Sequence, residues 1–554
     1  MRASSLSLRV LVVCLATLTS TYGARGQCDP AWEALPGGGA DERVRAMLTW
    51  DDGGGEKLYV GGNFATIEGV SATCIAVRGP SGWLQVGSGL RIGAIPGAVF
   101  ALQAFDDGSG EKLYAAGIFD RNGAGRPMLN IARFNGADWE PLDGDGSGPN
   151  AVVRALAAFK DSDGNPALII GGLFTTTEGD NSGALTVNGL FRYDGALFHG
   201  MGTGVTGPSA AKGVYALTVY DEGGGDYLYI GGSFTDIDGL ACNNIASWDS
   251  FGFYSLSGGL SGGVDPTVTC FIEDPSKPSL YVGGRFDSGD YAVNGAAEWR
   301  FGLFLPLGQG FSKDGEPYFA STLARFDDGR GMALFAGGYF TASGSTPVAY
   351  VARFNPLNEQ WEDMGGGVDS TCRALRAFDD GSGPALWGGG HFGIAGGGTA
   401  AHIARYRPGA GPFVLIPPGF QAITAGQTLI ETVATSGDGP RTFQWRRYGV
   451  DLANGGRISG ATTDTLTIAP ALNSDTGEFD CVITGPCRTI TCDPAFAIVW
   501  CAGDFNHDFV VDDFDYFDFL NAFFGNDIGA DVNGDTSVDD FDYFDFLNAF
   551  NEPC

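Results

Sequence analysis

Short apolar runs separated by Gly- and Asp-rich turns fill the chain from about residue 40 to 412, and they recur in a fixed order. The most regular run is Leu58-Tyr-Val-Gly-Gly-Asn-Phe64. It returns at 113–119, 168–174, 228–234, 280–286, 334–340 and 386–392, in steps of 55, 55, 60, 52, 54 and 52 residues. Another apolar run precedes each copy, as in Phe100-Ala-Leu-Gln-Ala-Phe-Asp106, and a turn such as Asp106-Asp-Gly-Ser-Gly110 joins the two. A third run, Ile131-Ala-Arg-Phe-Asn135, and a fourth, Trp139-Glu-Pro-Leu142, complete the period. Runs of this length between turn residues predict antiparallel four-stranded sheets, one per period.

A constant period near fifty residues means stacked copies of one supersecondary unit. Seven such sheets set radially make a seven-bladed β-propeller, whose faces pack on one another and leave few free edges. The double glycine is expected to let a neighbouring sheet approach closely, and the trailing Phe to fill the space between sheets. The fourth strand type occurs eight times if Trp32-Glu-Ala-Leu35 and Phe413-Val-Leu-Ile416 are both counted, and Trp32 is the better match for completing the last sheet. The order of apolar run, Gly-Gly, aromatic-Asp or aromatic-Asn pair and Trp resembles the kelch-type propeller family over about residues 28–412. Leu197, Phe253 and Leu303 stand where Trp is missing. The resemblance implies a binding platform. Its copper-oxidase members need converging His and Tyr ligands, and this span offers only His199, His391 and His402. Asp-rich turns such as Lys160-Asp-Ser-Asp-Gly-Asn165 are expected to stabilise hairpins.

The period stops at Pro417-Pro-Gly419. Beyond it, Gln444-Trp-Arg446, Thr465-Leu-Thr-Ile468 and Asp475-Thr-Gly-Glu-Phe-Asp-Cys481 resemble an immunoglobulin-like sandwich over 417–500. No cysteine stands on the early strand near 429–435, so the usual inter-sheet disulfide is absent and Cys481 either pairs locally, with Cys487 or Cys492, or stays free. Phe479 replaces the corner tyrosine.

In the last segment the pattern becomes alternating acid. Asp504, Asn506, Asp508, Val510, Asp512 and Asp515 stand at positions 1, 3, 5, 7, 9 and 12 of one loop. Asp531, Asn533, Asp535, Ser537, Asp539 and Asp542 repeat the spacing 27 residues later. Calcium takes six to eight oxygen ligands, and this spacing supplies carboxylates, amides and one backbone carbonyl at position 7, from Val510 and Ser537. Val511–Phe523 and Val538–Phe550 are identical 13-residue stretches, and the run from Phe514 onward places Phe514, Phe517, Leu520 and Phe524 at helical spacing, a face expected to pack on its twin. The pair resembles type I dockerin domains over 501–554. The resemblance implies calcium-dependent docking to a cohesin-like or other receptor, with Phe509 and Thr536 in place of the position-6 glycine.

Formal charge is −33, which sets the chain against nucleic acid and anionic lipid. Residues 1–26 read as a secretory leader, with Arg2 and Arg9 before the apolar Val10–Leu18 and a small-residue site at Ala24-Arg-Gly26. No other run is long enough to span a bilayer. The expected organisation is a leader at 1–26, a kelch-like propeller at 27–416, an immunoglobulin-like domain at 417–500 and a dockerin-like domain at 501–554. Eleven cysteines, ten without Cys14, point to disulfides in an exported chain. Cys501 with Cys554 and Cys242 with Cys270 are the expected pairs, while Cys28, Cys74 and Cys372 have no assigned partner. The expected function is a secreted, non-catalytic binding or adhesion protein, extracellular or at the cell surface, with a protein or glycan ligand on a propeller face. A dockerin-bearing polysaccharide hydrolase and a structural envelope protein are the alternatives.

Overall fold

In a computed structural model of the protein, the described residues are 30–551 apart from 143–145, 179–183, 210–211, 224, 315, 357, 409–411, 437–439, 487, 508–509, 526 and 533–536. Among them the chain is mainly β, with two α-helices near the C-terminus. The expected leader, Cys28, Cys487 and Cys554 lie outside the described residues.

Among the described residues, seven four-stranded antiparallel sheets built from the four repeated strands follow one another, with smaller ladders of shorter strands between them. Sheet 1 is Val44–Asp51, Glu56–Gly62, Ile75–Gly79 and Gly82–Gln85. Sheets 2 to 6 repeat it, starting at Ala98–Asp106, Val153–Lys160, Gly213–Asp221, Thr267–Asp274 and Phe319–Asp327. Sheet 7 holds Cys372–Asp379, Pro384–Gly390 and Ile403–Arg407. Its fourth strand comes from the start of the chain, where Ala31–Ala34 pairs with Ile403–Arg407 and Trp32 lies opposite Tyr406. The first strand of each sheet lies beside that of the next, and that of sheet 7 beside that of sheet 1.

The double glycine makes this spacing possible. A Cβ on Gly61 would sit 2.6 Å from Val99 Cγ1 of sheet 2, and one on Gly389 would sit 2.6 Å from Val44 Cγ1 of sheet 1. What approaches is thus a neighbour's side chain. The seven trailing Phe residues, Phe64 to Phe392, are buried. The fourth strands correct one expectation. By register, Phe198, Phe253 and Phe304 occupy the Trp position of sheets 3, 4 and 5, opposite Tyr193, Trp248 and Trp299. Leu197 and Leu303 are exposed instead. Phe253 stands where expected, while in sheets 3 and 5 a one-residue slip, which turns a side chain to the other face, puts Phe198 and Phe304 in place of Leu197 and Leu303.

The Asp-rich turns serve the hairpins. Asp106 Oδ1 accepts from the N–H groups of Gly108 and Gly110, both at 2.9 Å, and Asp51, Asp161, Asp221, Asp327 and Asp379 repeat the arrangement. In three sheets the acid after the turn Asp meets a third-strand Arg, which also meets the Glu following the fourth-strand Trp. Asp107–Arg133–Glu140, Asp328–Arg353–Glu362 and Asp380–Arg405–Glu33 are three such triads. The third ties the N-terminal strand into sheet 7 by charge as well as by register.

Cys242 and Cys270 are both free, contrary to the expected pair. Cys242 belongs to the core between sheets 3 and 4, whereas Cys270 packs against the core between sheets 5 and 6. Neighbouring repeats place residues close in sequence on opposite sides of a sheet. Burial pushes the Cys242 thiol up to about 11 and the Cys270 thiol up to about 12.

After Phe413–Ile416, which pairs with Ala434–Ser436, two sheets face each other. One contains Thr442–Arg447, Gly477–Thr484 and Ala495–Trp500, and the other Leu429–Thr432, Ile458–Ser459 and Thr465–Ile468. Trp445 is fully buried between them and donates from Nε1 to the Thr463 carbonyl at 2.9 Å. Cys481 and Cys492 are free and buried, with the Cys481 N–H 3.1 Å from Cys492 Sγ.

Glu431 shares the inward face of Leu429 and Val433 and is fully buried, with neither carboxylate oxygen hydrogen-bonded. Burial alone pushes its carboxyl up to about 7 from 4.5. Below pH 4.5 the folded and unfolded chains both carry the proton. Between there and pH 7 only the folded state keeps it, so stability falls as pH rises, by roughly 3 kcal/mol in all. Glu431→Gln is expected to flatten that decline in the calorimetric transition of the sandwich. Parallel pH profiles for the wild type and the variant would refute the assignment.

Candidate metal centre

The C-terminal segment folds each acidic loop onto the start of a helix. The first helix, α1, is Asp513–Phe524, and the second, α2, is Asp540–Asn551. Asp512 caps α1, its carboxylate accepting from the Phe514 N–H at 2.8 Å. The Asp515 carboxylate reaches back to accept from the N–H groups of Asp512 and Asn506, both at 2.9 Å. Position 12 therefore straps positions 3 and 9 of its own loop. Asp539 repeats the cap at α2, accepting from the Phe541 N–H, and Asp542 accepts from the Asp539 N–H as Asp515 does from that of Asp512.

The two helices meet through equivalent residues. Phe519 stacks on Phe546, 27 positions on, with ring centres 4.1 Å apart and planes 10° apart. The Tyr516 hydroxyl lies 3.3 Å from that of Tyr543. Phe523 with Tyr543 and Tyr516 with Phe550 are reciprocal contacts, both with ring centres 5.9 Å apart. Each repeat thus presents the same face to the other. Of the expected face only Leu520 packs against this core: Phe514, Phe517 and Phe524 are 69%, 59% and 79% exposed, as are Phe541 and Phe544 in α2 at 71% and 61%. Asp515 has to turn inward to strap the loop, and this carries Phe519 and Phe523, one and two turns along the same side of the helix, inward with it.

Of the expected ligands, Asp504, Asn506, Val510, Asp512, Asp515, Asp531, Ser537, Asp539 and Asp542 are described. Asp508, Asn533 and Asp535, together with Phe509 and Thr536, lie outside the described residues. Among the described residues no three His, Cys, Asp or Glu side chains gather into a metal cluster. The chemistry of the segment nonetheless suits a hard cation. Asp515 and Asp542 are fully buried and Asp504 nearly so, while 501–554 contains fourteen Asp and Glu and no Lys or Arg. Buried carboxylates need a compensating charge, and an all-oxygen donor set suits calcium. Cys501 is disulfide-bonded, and its expected partner Cys554 is outside the described residues.

In the seven sheets, His391 and His402 lie with ring centres 6.1 Å apart, while His199 pairs with Asp194 at 2.6 Å on another sheet.

No protein-family model and no curated protein matches the chain. Among solved structures, the chain is similar to the titin M3 domain at 25% identity, covering 16% of this chain and 98% of that one, with a TM-score of 0.15. It is similar to the titin I-band fragment I67–I69 at 21% identity, covering 16% of this chain and 32% of that one, again with a TM-score of 0.15. The chain thus spans about a third of that fragment's length. The twitchin kinase region from C. elegans matches at 17% identity over 18% of both chains, with a TM-score of 0.16.

Proposed function

We propose that the chain is an exported, non-catalytic binding protein built from a kelch-like seven-bladed propeller, an immunoglobulin-like spacer and a dockerin-like calcium module that docks it to a receptor. The observation that carries the docking role is the arrangement of α1 and α2. Their equivalent aromatic residues bury one another, which leaves Phe514 and Phe517 and their twins Phe541 and Phe544 facing solvent. Exposed aromatic residues set twice on one small module form a surface for a protein partner. Calcium would be held by the carboxylates, amides and position-7 carbonyls of the two loops, and it would neutralise the buried acids and fix the helices that carry those rings.

The propeller reading is supported by the sheet-to-sheet order and by the N-terminal strand lying in sheet 7. The non-catalytic reading draws on the repeated carboxylates that, among the described residues, are engaged in turns and arginine triads.

The test is retention of the full chain on the surface of the producing cells, with calcium and with chelator. Phe514→Ala together with Phe541→Ala is expected to lower retention about tenfold, the loss that follows from removing two anchor side chains, while leaving calcium titration unchanged. Equal retention of the full chain and of a chain ending at Trp500 would remove the docking role. Release of reducing sugar from glycans by the purified chain would make it a hydrolase.

A further inference from the structure

The first strand of every sheet carries one bulge at the same place. The ladder slips between Val44 and Ala46 in sheet 1, between Val153 and Ala155 in sheet 3, between Cys372 and Ala374 in sheet 7, and at the corresponding pairs of sheets 2, 4, 5 and 6. A bulge re-aims the extra side chain out of the sheet's alternation. The seven bulged residues are Arg45, Phe100, Arg154, Tyr215, Thr269, Ser321 and Arg373, and together they line a single cavity of about 130 Å³. Sequence positions spread over more than three hundred residues thus converge on one space, with one contribution from each sheet.

The cavity is cationic and has no carboxylate in its wall. Arg45, Arg154 and Arg373 form no ion pair among the described residues, unlike the third-strand Arg133, Arg353 and Arg405 of sheets 2, 6 and 7. Arg154 Nε is buried without a hydrogen-bond partner, and its guanidinium lies 4.3 Å from the Phe100 ring centre and 5.7 Å from that of Tyr215. The Arg45 guanidinium lies 5.0 Å from the centre of the same Phe100 ring, and Arg45 Nε donates to Asn63 Oδ1. Arg43 stands close by, within 3.2 Å of His391 and 3.8 Å of Glu42. Burial, then repulsion from Arg373, Arg43 and Arg154, brings Arg45 down to about 10, with Glu42 opposing. Burial and Arg154 push Arg373 in the same direction. The aromatic rings relieve part of this crowding. They do not supply the missing negative charge, in a chain that carries 65 acidic residues against 32 Lys and Arg.

We propose that this cavity binds an oxyanion of two or more negative charges, a phosphate or a sulfate group, held by the forked donors of Arg45, Arg154 and Arg373. The guanidinium fork matches such oxygens in pairs, and charge-assisted hydrogen bonds of this kind are the strong ones. The volume admits one such group, free in solution or carried at the end of an acidic glycan. The proposal gives the sheets a ligand chemistry and rests on the reading of them as a binding platform. It is independent of calcium and of residues 501–554, so its failure leaves the docking role standing.

The experiment is calorimetric titration of the full chain with sodium sulfate, sodium phosphate and a sulfated disaccharide, against sodium chloride at matched ionic strength. Millimolar or tighter binding of the divalent anions is expected, with no heat from chloride and with weakening as salt is raised. Arg154→Gln and Arg373→Gln are each expected to weaken binding about tenfold, the loss of one charge-assisted pair. In chloride alone both variants should melt no lower than the wild type, because each relieves the crowding of like charge. A disaccharide that binds far more tightly than free sulfate identifies a glycan-borne group, and equal affinities identify the free anion. No heat above chloride for any of the three, or wild-type affinity in both variants, overturns the proposal.

Discussion

Trp32→Ala is expected to lower the stability of the seven-sheet unit by about 3–5 kcal/mol, the usual cost of deleting a buried indole. Trp32 is only 8% exposed and sits 5.4 Å from the Tyr406 ring. Its indole covers Gly388, where an added Cβ would lie 3.0 Å from the Trp32 ring. The loss goes beyond packing. The strand Ala31–Ala34 is held to Ile403–Arg407 by this ring, by the backbone ladder and by Glu33, which meets Arg405 at 2.8 Å. Burial opposes ionisation of Glu33, yet hydrogen bonds from Arg405 and Arg407 hold its carboxyl below the ordinary value. With Trp32 gone, the strand's grip on sheet 7 weakens, and Ile403–Arg407 becomes an open edge at the seam between the first and last sheets. Urea unfolding of the full chain measures the effect, with Leu84→Ala as control because Leu84 is a fourth-strand residue that is 58% exposed. Equal midpoints for the two variants would mean that the N-terminal strand adds nothing to sheet 7.

Much of this architecture was legible because the chain repeats it. Seven copies of one apolar run fix the strand order, and the double glycine is explained once Val99 is seen against Gly61. What failed to show follows from the physics of side-chain direction. Leu197 and Phe198 are adjacent and both apolar, so composition alone does not say which turns inward, and only register does. In α1, aromatic residues occupy both sides of the helix, and periodicity favours Phe514, Phe517 and Phe524 as readily as Tyr516, Phe519 and Phe523. The inward turn of Asp515 decides between them. Cys242 and Cys270 looked like a staple between repeats because sequence distance carries no information about the intervening sheet. The cationic cavity was hidden for the opposite reason. Its residues hold a variable position of the repeat, reading Arg, Phe, Arg, Tyr, Thr, Ser and Arg, and a search for recurring residues passes over a position that differs. The signal is there once the residue after each inner-strand Val44, Val99 or Val153 is aligned across the copies.

Removing calcium is expected to unfold 501–554 and leave the sheets intact. The fully buried residues of the segment's hydrophobic core are Phe519, Phe546 and Ala530, far too few to hold a fold by apolar burial alone. Against that small core stand fourteen acidic residues with no Lys or Arg, and two fully buried carboxylates at Asp515 and Asp542. The caps at Asp512 and Asp539 and the acids in the first turns suit the helix dipoles, each by a few tenths to about 1 kcal/mol, which does not offset the burial of charge. A divalent cation in each loop would reverse the balance, contributing about 2.7 kcal/mol per site at a hundredfold excess over its dissociation constant. In the full chain, chelator should abolish the helical circular dichroism of α1 and α2 and shift one calorimetric transition, and calcium should restore both. Asp542→Asn should leave one of two calcium equivalents, since it removes the strap of the second loop only. If the helical signal and every transition are indifferent to chelation, the segment is held by the Cys501 disulfide and the Phe519–Phe546 stack, and its acidic loops have some role other than binding calcium.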